Sequence, residues 1–381
     1  MTSDSLFPSG GPSSPSGTGI FPSQTIEALI RDRTIASTSE FARDMIQPAS
    51  LDLRLGPVAY RVQASFLPGP EATVEEKVEA FGMHEIGLEG GAVLERGCVY
   101  IVPLLEHLAL DSPIAAFANP RSSTGRLDVF TRLITDRSNR FDAVARGYHG
   151  RLYAEVSPRT FSILVRTGSR LNQLRLHRGT PVVPTTRLRQ LQRDVGLVDP
   201  EMEGSGRRDG GLPLRLDLEG DGSGSLIGFR AKQHTGIVDF DVVGGYDAND
   251  FWEPILARPG RGIILNPDDF YILSTREAIT VPPDHAAEMI AYDTEVGEFR
   301  VHYAGFFDPG FGWDGAGGAG SRAVLEVRSH DVPFLLEHEQ VIGGLRYLRL
   351  TDISDRIYGS SIGSAYQGQR LQLSKHFRTR P

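Results

Sequence analysis

The chain has one cysteine, Cys98, among 381 residues, which excludes an internal disulfide and any cysteine-based zinc cluster. No apolar run approaches the roughly 18 residues that a membrane-spanning helix needs. Basic residues are also scarce: 40 Lys and Arg against 48 Asp and Glu give a formal net charge of −8. A nucleic-acid partner needs a basic surface. We therefore expect a cytoplasmic protein with neither a nucleic-acid nor a membrane partner.

Several catalytic signatures are missing as well. The chain has no Gly-x-x-x-x-Gly-Lys-Ser/Thr phosphate loop and no His-Glu-x-x-His zinc motif. The His-x-Glu and Pro-Cys-x-x-Cys pair of zinc-dependent nucleobase deaminases is also absent. The sequence therefore predicts neither a P-loop protein nor a zinc deaminase.

Composition and length predict the domain layout. The 43 glycines and 24 prolines favour short strands and turns over long helices, and the length suits two domains. Composition changes along the chain predict the following segments: a disordered N-terminus (1–20), a first domain (21–192), a glycine-rich linker (193–236), a second domain (237–355) and a C-terminal tail (356–381).

The second half of the chain repeats the pattern of the first. The segments that resemble each other are 51–55 and 237–241, 94–107 and 265–277, 110–113 and 281–284, and 151–156 and 323–327. A duplication on this scale indicates two similar domains in one chain. The predicted fold is mainly β, with two tandem β-barrel-like domains packed as a pseudo-dimer and few short helices.

Residues 119–126 (Asn-Pro-Arg-Ser-Ser-Thr-Gly-Arg) follow an apolar run that is typical of a buried strand. Arg121 and Arg126 offer planar, charge-assisted contacts, and Ser122 and Ser123 offer hydroxyl donors at close range. These residue types suit a polyphosphate site. An ordinary surface loop is the alternative.

Two glutamates, Glu155 and Glu326, interrupt apolar strands at the same place in the two halves. Such a carboxylate either faces solvent or is buried for acid–base work, and its recurrence favours the second role. Arg126 is a candidate partner that fixes the orientation of one of them.

Two further regions carry candidate functional residues. Asp308 lies in a turn after an aromatic strand, where ordinary turn chemistry and contact with a sugar hydroxyl are both possible, and residues 142–150 are its looser first-half counterpart. The basic, polar tail at 365–378 is either a frayed terminus or a lid over a phosphorylated ligand.

Together these motifs resemble the dCTP deaminases, which belong to the dUTPase-like β-barrel superfamily. The double length resembles a bacterial subfamily with two fused barrels. The matching segments, in chain order, are 47–56 (Gln-Pro-Ala-Ser-Leu-Asp-Leu-Arg-Leu-Gly), 121–126, the Glu155 strand, 172–174 (Asn-Gln-Leu), 302–311, 323–326 and 366–374.

The resemblance implies zinc-independent hydrolysis of dCTP to dUTP and ammonia. A strand glutamate, Glu155 or Glu326, would act as general base and acid on a water that attacks the cytosine ring. Ser122 would hold that water, and Arg126 would orient the glutamate and offset developing charge.

The resemblance also implies how the substrate is held. The substrate-binding residues would be Arg121, Ser123 and Gln173 for a triphosphate that carries Mg²⁺, Asp142 or Asp308 for the nucleoside, and Tyr366, Gln369 and Lys375 from the closing tail. The relatives form threefold assemblies, so a homotrimer is expected, with a dimer as the alternative.

The two halves depart from the family pattern in complementary ways. Residues 292–297 replace the Arg-Ser-Ser motif in the second half, and residues 131–147 are altered in the first. We therefore expect a hybrid site that combines residues 121–126 with Asp308 and Glu326. Two other functions stay open: dUTP diphosphatase activity, alone or coupled to deamination with Asp142 or Asp308 activating water, and a non-catalytic nucleotide-binding regulator.

Overall fold

The computed structural model describes residues 17–200, 211–258, 260–291, 299–302, 305–329, 332–359 and 366–378. Most of the predicted N-terminal disorder and the motif replacement at 292–297 lie outside these ranges. The helices are α1 (Ser23–Arg31), α2 (Val74–Phe81), α3 (Ser122–Gly125), α4 (Thr185–Val195) and α5 (Ala248–Phe251). Of the helices in these ranges, none is long and apolar enough to cross a membrane.

Strands make up most of the regular secondary structure. Those of the first half are β1 (Gly19–Ile20), β2 (Ile35–Ser37), β3 (Leu51–Leu53), β4 (Val58–Val62), β5 (Gly82–Gly87), β6 (Ala92–Leu94), β7 (Val99–Ala109), β8 (Ile114–Pro120), β9 (Val129–Thr135), β10 (Ala143–Val144), β11 (His149–Pro158), β12 (Ile163–Val165) and β13 (Asn172–Arg178).

The remaining strands lie in the second half and the tail. They are β14 (Val198–Asp199), β15 (Leu212–Arg215), β16 (Leu226–Ala231), β17 (Val238–Asp239), β18 (Tyr246–Asp247), β19 (Trp252–Leu256), β20 (Ile263–Leu265), β21 (Phe270–Ile279), β22 (His285–Ala291), β23 (Phe299–His302), β24 (Phe306–Phe307), β25 (Arg322–Ser329), β26 (Phe334–Leu336), β27 (Val341–Arg349) and β28 (Phe377–Arg378).

Each half is built from two main sheets. In the first half, one sheet has the order β1-β13-β8-β10, with β3 also on β13, and the other has the order β5-β4-β7-β11-β9, with β2 also on β7. In the second half the corresponding orders are β15-β27-β22-β24 and β19-β16-β21-β25-β23, with β14 on β21. The predicted class, mainly β with two repeated barrel-like units and few short helices, is confirmed.

A buried arginine–glutamate pair marks the same position in both halves. Arg54 donates from its backbone nitrogen and its Nε to Glu106, at 2.8 Å in each case. Arg215 donates from the same two atoms to Glu277, at 2.7 and 2.6 Å. Because β3 pairs with β13 and β15 pairs with β27, the strand that repeats 51–54 is Leu212–Arg215.

Two predictions about this part of the chain were therefore wrong. Residues 237–241 do not repeat the Leu51 strand, and in the described part of residues 193–236 the chain carries β14, β15 and β16 instead of a linker. Helix α4 precedes these strands as α1 precedes those of the first half. The second unit thus begins near Thr185. At the N-terminus, Gly19 and Ile20 pair with β13, so the disorder predicted for residues 1–20 is wrong for these two residues.

The insertions between corresponding strands differ between the halves. In the first half the segment between β4 and β5 contains α2 and packs Val74 against its own barrel. In the second half the segment between β16 and β19 crosses to the first, where Val238 pairs in parallel with Ile163. Its end packs Trp252 against Phe377 of the tail, with ring centroids 5.9 Å apart. The insertion between β16 and β19 therefore contacts both the first half and the tail.

We predict that Glu106→Gln lowers the free energy of unfolding by about 3 kcal/mol, because it leaves the buried Arg54 charge without its counterion. Glu277→Gln removes the equivalent pair and has a similar expected cost. Urea denaturation followed by circular dichroism measures both values. Glu75→Gln is the control, since the side chains of the Arg151–Glu75 pair are 68% and 66% exposed and such a pair contributes little. Equal midpoints for all three variants would contradict the prediction.

Candidate functional site

A cavity of about 600 Å³ lies between the two halves. Its wall is polar at one end and aromatic at the other, and both halves and the tail contribute to it. The lining residues are Asp44, Gln47, Asp52, Pro120, Arg121, Ser122, Ser123, Arg126, Gly168, Arg170 and Gln173 from the first half; Phe240, Asp241, Met289, Gly305, Phe306, Phe307, Asp308, Phe311, Val324, Glu326 and Tyr358 from the second; and Tyr366, Gln369 and Lys375 from the tail.

The Arg-Ser-Ser motif sits where β8 ends and the four-residue helix α3 begins. The backbone nitrogen of Arg121 and the hydroxyl of Thr124 both donate to the carbonyl of Leu171, each at 2.8 Å. These two bonds fix the loop against the turn that precedes β13. Ser122 and Ser123 are thereby held on the cavity wall.

Arg126 is held by the tail. Its two terminal nitrogens donate to the carbonyl of Gln372 at 2.9 Å and to Oε1 of Gln369 at 3.1 Å. The guanidinium carbon also lies 3.9 Å from the ring centroid of Tyr366, a cation–π arrangement. The tail therefore packs directly on a residue that lines the cavity.

Glu326 projects from β25 into the same cavity and is buried. Burial raises the pKa of its carboxyl to about 8, although the charge of Arg126 acts in the opposite direction. A carboxyl of this kind takes up or releases a proton near neutral pH, which suits acid–base chemistry.

A group of cations occupies the polar end of the cavity. Arg121 and Arg170 lie 3.0 and 3.9 Å from the buried carboxylate of Asp52, and Arg170 also pairs with Asp44 at 2.8 Å. Burial raises the pKa of Asp52 to about 6, and the two arginines lower it. Burial lowers the pKa of Lys375, and the charge of Arg121 lowers it further. This arrangement offers several positive donors to an anionic ligand.

The opposite end of the cavity is aromatic. Phe306, Phe307, Phe311 and Tyr358 line it, with Asp308 at its edge. One carboxylate oxygen of Asp308, Oδ1, accepts a hydrogen bond from Arg175 of the first half at 3.0 Å. An uncharged ring and a hydroxyl-bearing group would suit this end.

The structure brings ten of the predicted residues to this cavity: Arg121, Ser122, Ser123, Arg126, Gln173, Asp308, Glu326, Tyr366, Gln369 and Lys375. Glu155 and Asp142 do not line it. Arg132 stands opposite Glu155 on the neighbouring strand and pairs with its Oε1 at 2.5 Å. The Asp142 carboxylate accepts from the backbone of Leu133 at 2.7 Å, and its burial raises the pKa to about 7.

The strand registers identify the first-half counterpart of Asp308. Val144 lies opposite Ala116, as Phe307 lies opposite Ala287 at the same position of its strand. The next residue is Ala145 in the first half and Asp308 in the second. Within residues 142–150, Ala145 and not Asp142 therefore takes the place of Asp308.

Several lining residues were not predicted from the sequence. Asp52 lies in the matching segment 47–56, where the alternation of apolar and polar residues predicts a strand and does not indicate a binding role for this carboxylate. Arg170 lies three residues before Gln173, in the turn that leads into β13. A positive charge this close to the predicted segment 172–174 could have indicated a contact with an anionic ligand. Phe240 and Asp241 belong to the crossing insertion, whose position depends on tertiary packing. The described residues contain no group of three or more His, Cys, Asp or Glu arranged to hold a metal ion.

The fold and this cavity define a tandem β-barrel protein in which both barrels line a common cavity. Residues 17–180 match the family model "2'-deoxycytidine 5'-triphosphate deaminase (DCD) N-terminal domain", and residues 185–377 match the corresponding C-terminal domain. The chain belongs to the dCTP deaminase family. The boundary near 185 agrees with the start of the second unit in the structure.

Individual relatives agree with this assignment. A crystal structure of 2'-deoxycytidine 5'-triphosphate deaminase from Agrobacterium tumefaciens superposes with a TM-score of 0.83 at 52% identity, covering 89% of this chain and 99% of that one. A "dCTP deaminase, dUMP-forming" of Beutenbergia cavernae is 35% identical over 116 residues, which are 29% of this chain and 56% of the relative. The protein of the same description from Mycolicibacterium vanbaalenii is 32% identical over 146 residues, 37% of this chain and 72% of the relative. The match thus spans little more than half the length of the first of these curated relatives.

His376 anchors the tail beside the cavity. Its Nε2 and Nδ1 lie 2.8 Å from the carbonyl of Phe240 and from Oγ of Ser374. The pKa of His376 is lowered from 6.5 to about 4, chiefly by burial. The charges of Lys375 and Arg121 also lower it, whereas the Phe240 carbonyl and the Asp239 charge act in the opposite direction. Between pH 4 and 6.5, the His376 imidazole binds more protons when the tail is released than when the tail is docked. Docking of the tail therefore weakens as the pH falls from 6.5 towards 4.

We predict that this change is visible in the fluorescence of Trp252, which contacts the tail ring of Phe377. The measurement uses a Trp313→Phe background, so that Trp252 is the remaining tryptophan. His376→Asn should abolish the emission change between pH 6.5 and 4, whereas His149→Gln, at an exposed position, should leave it intact. An unaltered pH profile in the His376 variant would contradict the assignment.

Proposed function

We propose that the chain catalyses the hydrolytic deamination of dCTP to dUTP and ammonia at the composite cavity. The observation that carries this proposal is the convergence of both halves on one site. The first half supplies Arg121 to Arg126, and the second supplies Glu326 and Asp308. A deaminase of this kind needs an acid–base carboxyl, a water-holding hydroxyl and an anion-binding group in one place, and the cavity holds all three.

The triphosphate would lie at the cationic end of the cavity. Arg121 and Arg170 would contact its oxygens through planar, charge-assisted hydrogen bonds, with Ser123, Gln173 and Lys375 adding further donors. Mg²⁺ would arrive with the triphosphate as part of the substrate. The Asp52 carboxylate also lines this end of the cavity, and a carboxylate there suits a hydrated cation between protein and phosphate.

The base would lie near Glu326. Ionised Glu326 would take a proton from a water held by Ser122, while the water oxygen bonds to C4 of the cytosine. The glutamate would pass this first proton to N3 and would then move the second proton of the water from the C4 hydroxyl to the exocyclic nitrogen. The C4 carbonyl forms as the C4–N bond breaks, and ammonia leaves. Arg126 would offset the negative charge that develops, since it lowers the pKa of Glu326. This chemistry requires no zinc.

The sugar would lie between these two ends. Asp308 keeps one carboxylate oxygen, Oδ2, for a ligand hydroxyl, because Oδ1 accepts from Arg175. Tyr366 and Gln369 of the tail close the site, and their contacts with Arg126 keep solvent from the reacting groups.

We predict that Glu326→Gln reduces deamination by about a thousandfold or more, since it removes the proton-transferring group. Glu155→Gln should keep activity within about threefold, because Glu155 pairs with Arg132 away from the cavity. Ammonia release from dCTP measures both. In the wild type, kcat/KM should rise with pH up to about 8, because only the ionised carboxyl can accept the proton.

The two glutamates are matched controls, because they occupy the same position of the repeated strand. Retained turnover in Glu326→Gln together with loss in Glu155→Gln would overturn the hybrid site. A flat pH profile from 6 to 9 would show that another group accepts the proton.

A second function has its own support. The curated relatives are described as dUMP-forming, which means that a diphosphate bond is also broken in those proteins. On this chain, the same cavity would then cleave the triphosphate after deamination and release pyrophosphate. Asp308 is the candidate activator of the attacking water, since Asp142 lies outside the cavity.

We predict ammonia release when purified protein is given dCTP and Mg²⁺. The assay follows ammonia and pyrophosphate together and is repeated with dUTP. Ammonia without pyrophosphate supports a simple deaminase. Both products from dCTP support the dUMP-forming reaction, and pyrophosphate from dUTP shows that dUTP is accepted from solution. Binding of dCTP without either product would support a non-catalytic regulator and contradict the proposal.

A further inference from the structure

Arg175 connects the two halves beside the aromatic end of the cavity. It lies on β13 of the first half, and its side chain has no exposed surface. Its terminal nitrogens donate to three acceptors in the second half: the carbonyl of Ala287 at 2.8 Å, the carbonyl of Phe307 at 2.9 Å and Oδ1 of Asp308 at 3.0 Å. The guanidinium of Arg175 is thus buried against the second half and not against its own barrel.

The residue opposite Arg175 explains this orientation. Phe117 is its cross-strand partner and offers no acceptor. In the repeated position of the second half, Arg346 stands opposite Glu288 and pairs with it at 3.1 Å, within its own half. Because a buried guanidinium must find acceptors, Arg175 reaches into the neighbouring half.

Apart from the bond to Ala287, the described contacts of the Arg175 guanidinium with the second half converge on one short segment, Phe306 to Asp308. The guanidinium carbon lies 4.1 Å from the ring centroid of Phe306, and Phe117 packs edge-on against the same ring at 5.3 Å. Phe306 is therefore held by two first-half side chains, and Asp308 by one. Both residues line the cavity, whereas Arg175 does not.

We infer that Arg175 is a positioning residue for substrate binding: it holds the Phe306–Asp308 edge of the cavity in the geometry that receives the nucleoside. The inference rests on the proposed function of this cavity. The bond to Oδ1 fixes the rotation of the Asp308 carboxylate, so that Oδ2 is the oxygen presented to a ligand. The bond to the Phe307 carbonyl fixes the backbone between Phe306 and Asp308, and the bond to the Ala287 carbonyl fixes the guanidinium on the neighbouring strand β22.

Arg175→Lys tests this role, because lysine keeps the charge but cannot reach three separate acceptors. We expect KM for dCTP to rise about tenfold while kcat changes by less than about threefold, since the lost contacts orient bound nucleoside without touching the reacting atoms. The inhibition constant of inorganic tripolyphosphate should stay unchanged, because that ligand reaches only the cationic end.

Arg346→Lys is the matched control, because it makes the same change at the repeated position while leaving an ion pair within one half. It should leave both constants at the wild-type value. Arg175→Gln is the second variant, because it keeps an amide donor without a buried charge, and it should change KM in the same direction. Thermal unfolding of each variant separates loss of fold from loss of positioning.

Three outcomes would overturn the inference. They are an unchanged KM in folded Arg175→Lys, an equal rise in KM and in the tripolyphosphate inhibition constant, and loss of the folded state in both Arg175 variants.

Failure of the proposed reaction is distinguishable from these three outcomes. If wild-type protein binds dCTP without turning it over, the reaction is wrong, and Arg175 is then tested by the dissociation constants of dCTP and tripolyphosphate. Absence of dCTP binding to the wild type would overturn both.

Discussion

A buried guanidinium must find acceptors, and two buried arginines of the described residues, Arg175 and Arg328, find acceptors across the boundary between the halves. Arg175 reaches from the first half to Asp308, and Arg328 reaches from the second half to Asp128 and to Thr160. Breaking one partner of such a pair leaves an uncompensated buried charge, which is strongly unfavourable. The two barrels are therefore held in one relative arrangement, and the cavity between them has a defined shape. The Asp128–Arg328 pair lies two residues from Arg126 and from Glu326, so it also holds these two cavity residues near each other.

The two halves contribute complementary residues to the cavity between them. The first half keeps the Arg-Ser-Ser motif, but Ala145 replaces the aspartate and Arg132 neutralises Glu155. The second half keeps Asp308 and Glu326, but the sequence at 292–297 replaces the motif. The insertions also differ between the halves. The insertion between β4 and β5 packs on its own barrel, whereas the insertion between β16 and β19 crosses to the first half and lines the cavity with Phe240 and Asp241. The proposed site therefore combines residues of both halves in one cavity.

Much of this arrangement was predictable from local sequence patterns. Alternating apolar residues, turn residues and the repeat of Glu155 at Glu326 indicate two β units, and the complementary motif losses indicate a hybrid site. The domain boundary was missed because Pro213 stands where the first half has Asp52, which hides the repeat of 51–54. The sequence also did not indicate which of the two glutamates lines the cavity. Glu155 pairs with Arg132, a residue 23 positions away that becomes its neighbour only when the strands pair.

The electrostatics of Glu326 link the tail to the chemistry. Desolvation of a carboxyl raises its pKa, and the opposing influence here is the charge of Arg126. The N–H groups of Arg126 are bound by Gln369 and Gln372, and Tyr366 covers the guanidinium. The docked tail shields Arg126 from solvent, which strengthens the attraction between Arg126 and an ionised Glu326. The tail therefore acts on the pKa of Glu326 through Arg126, the residue whose charge lowers it.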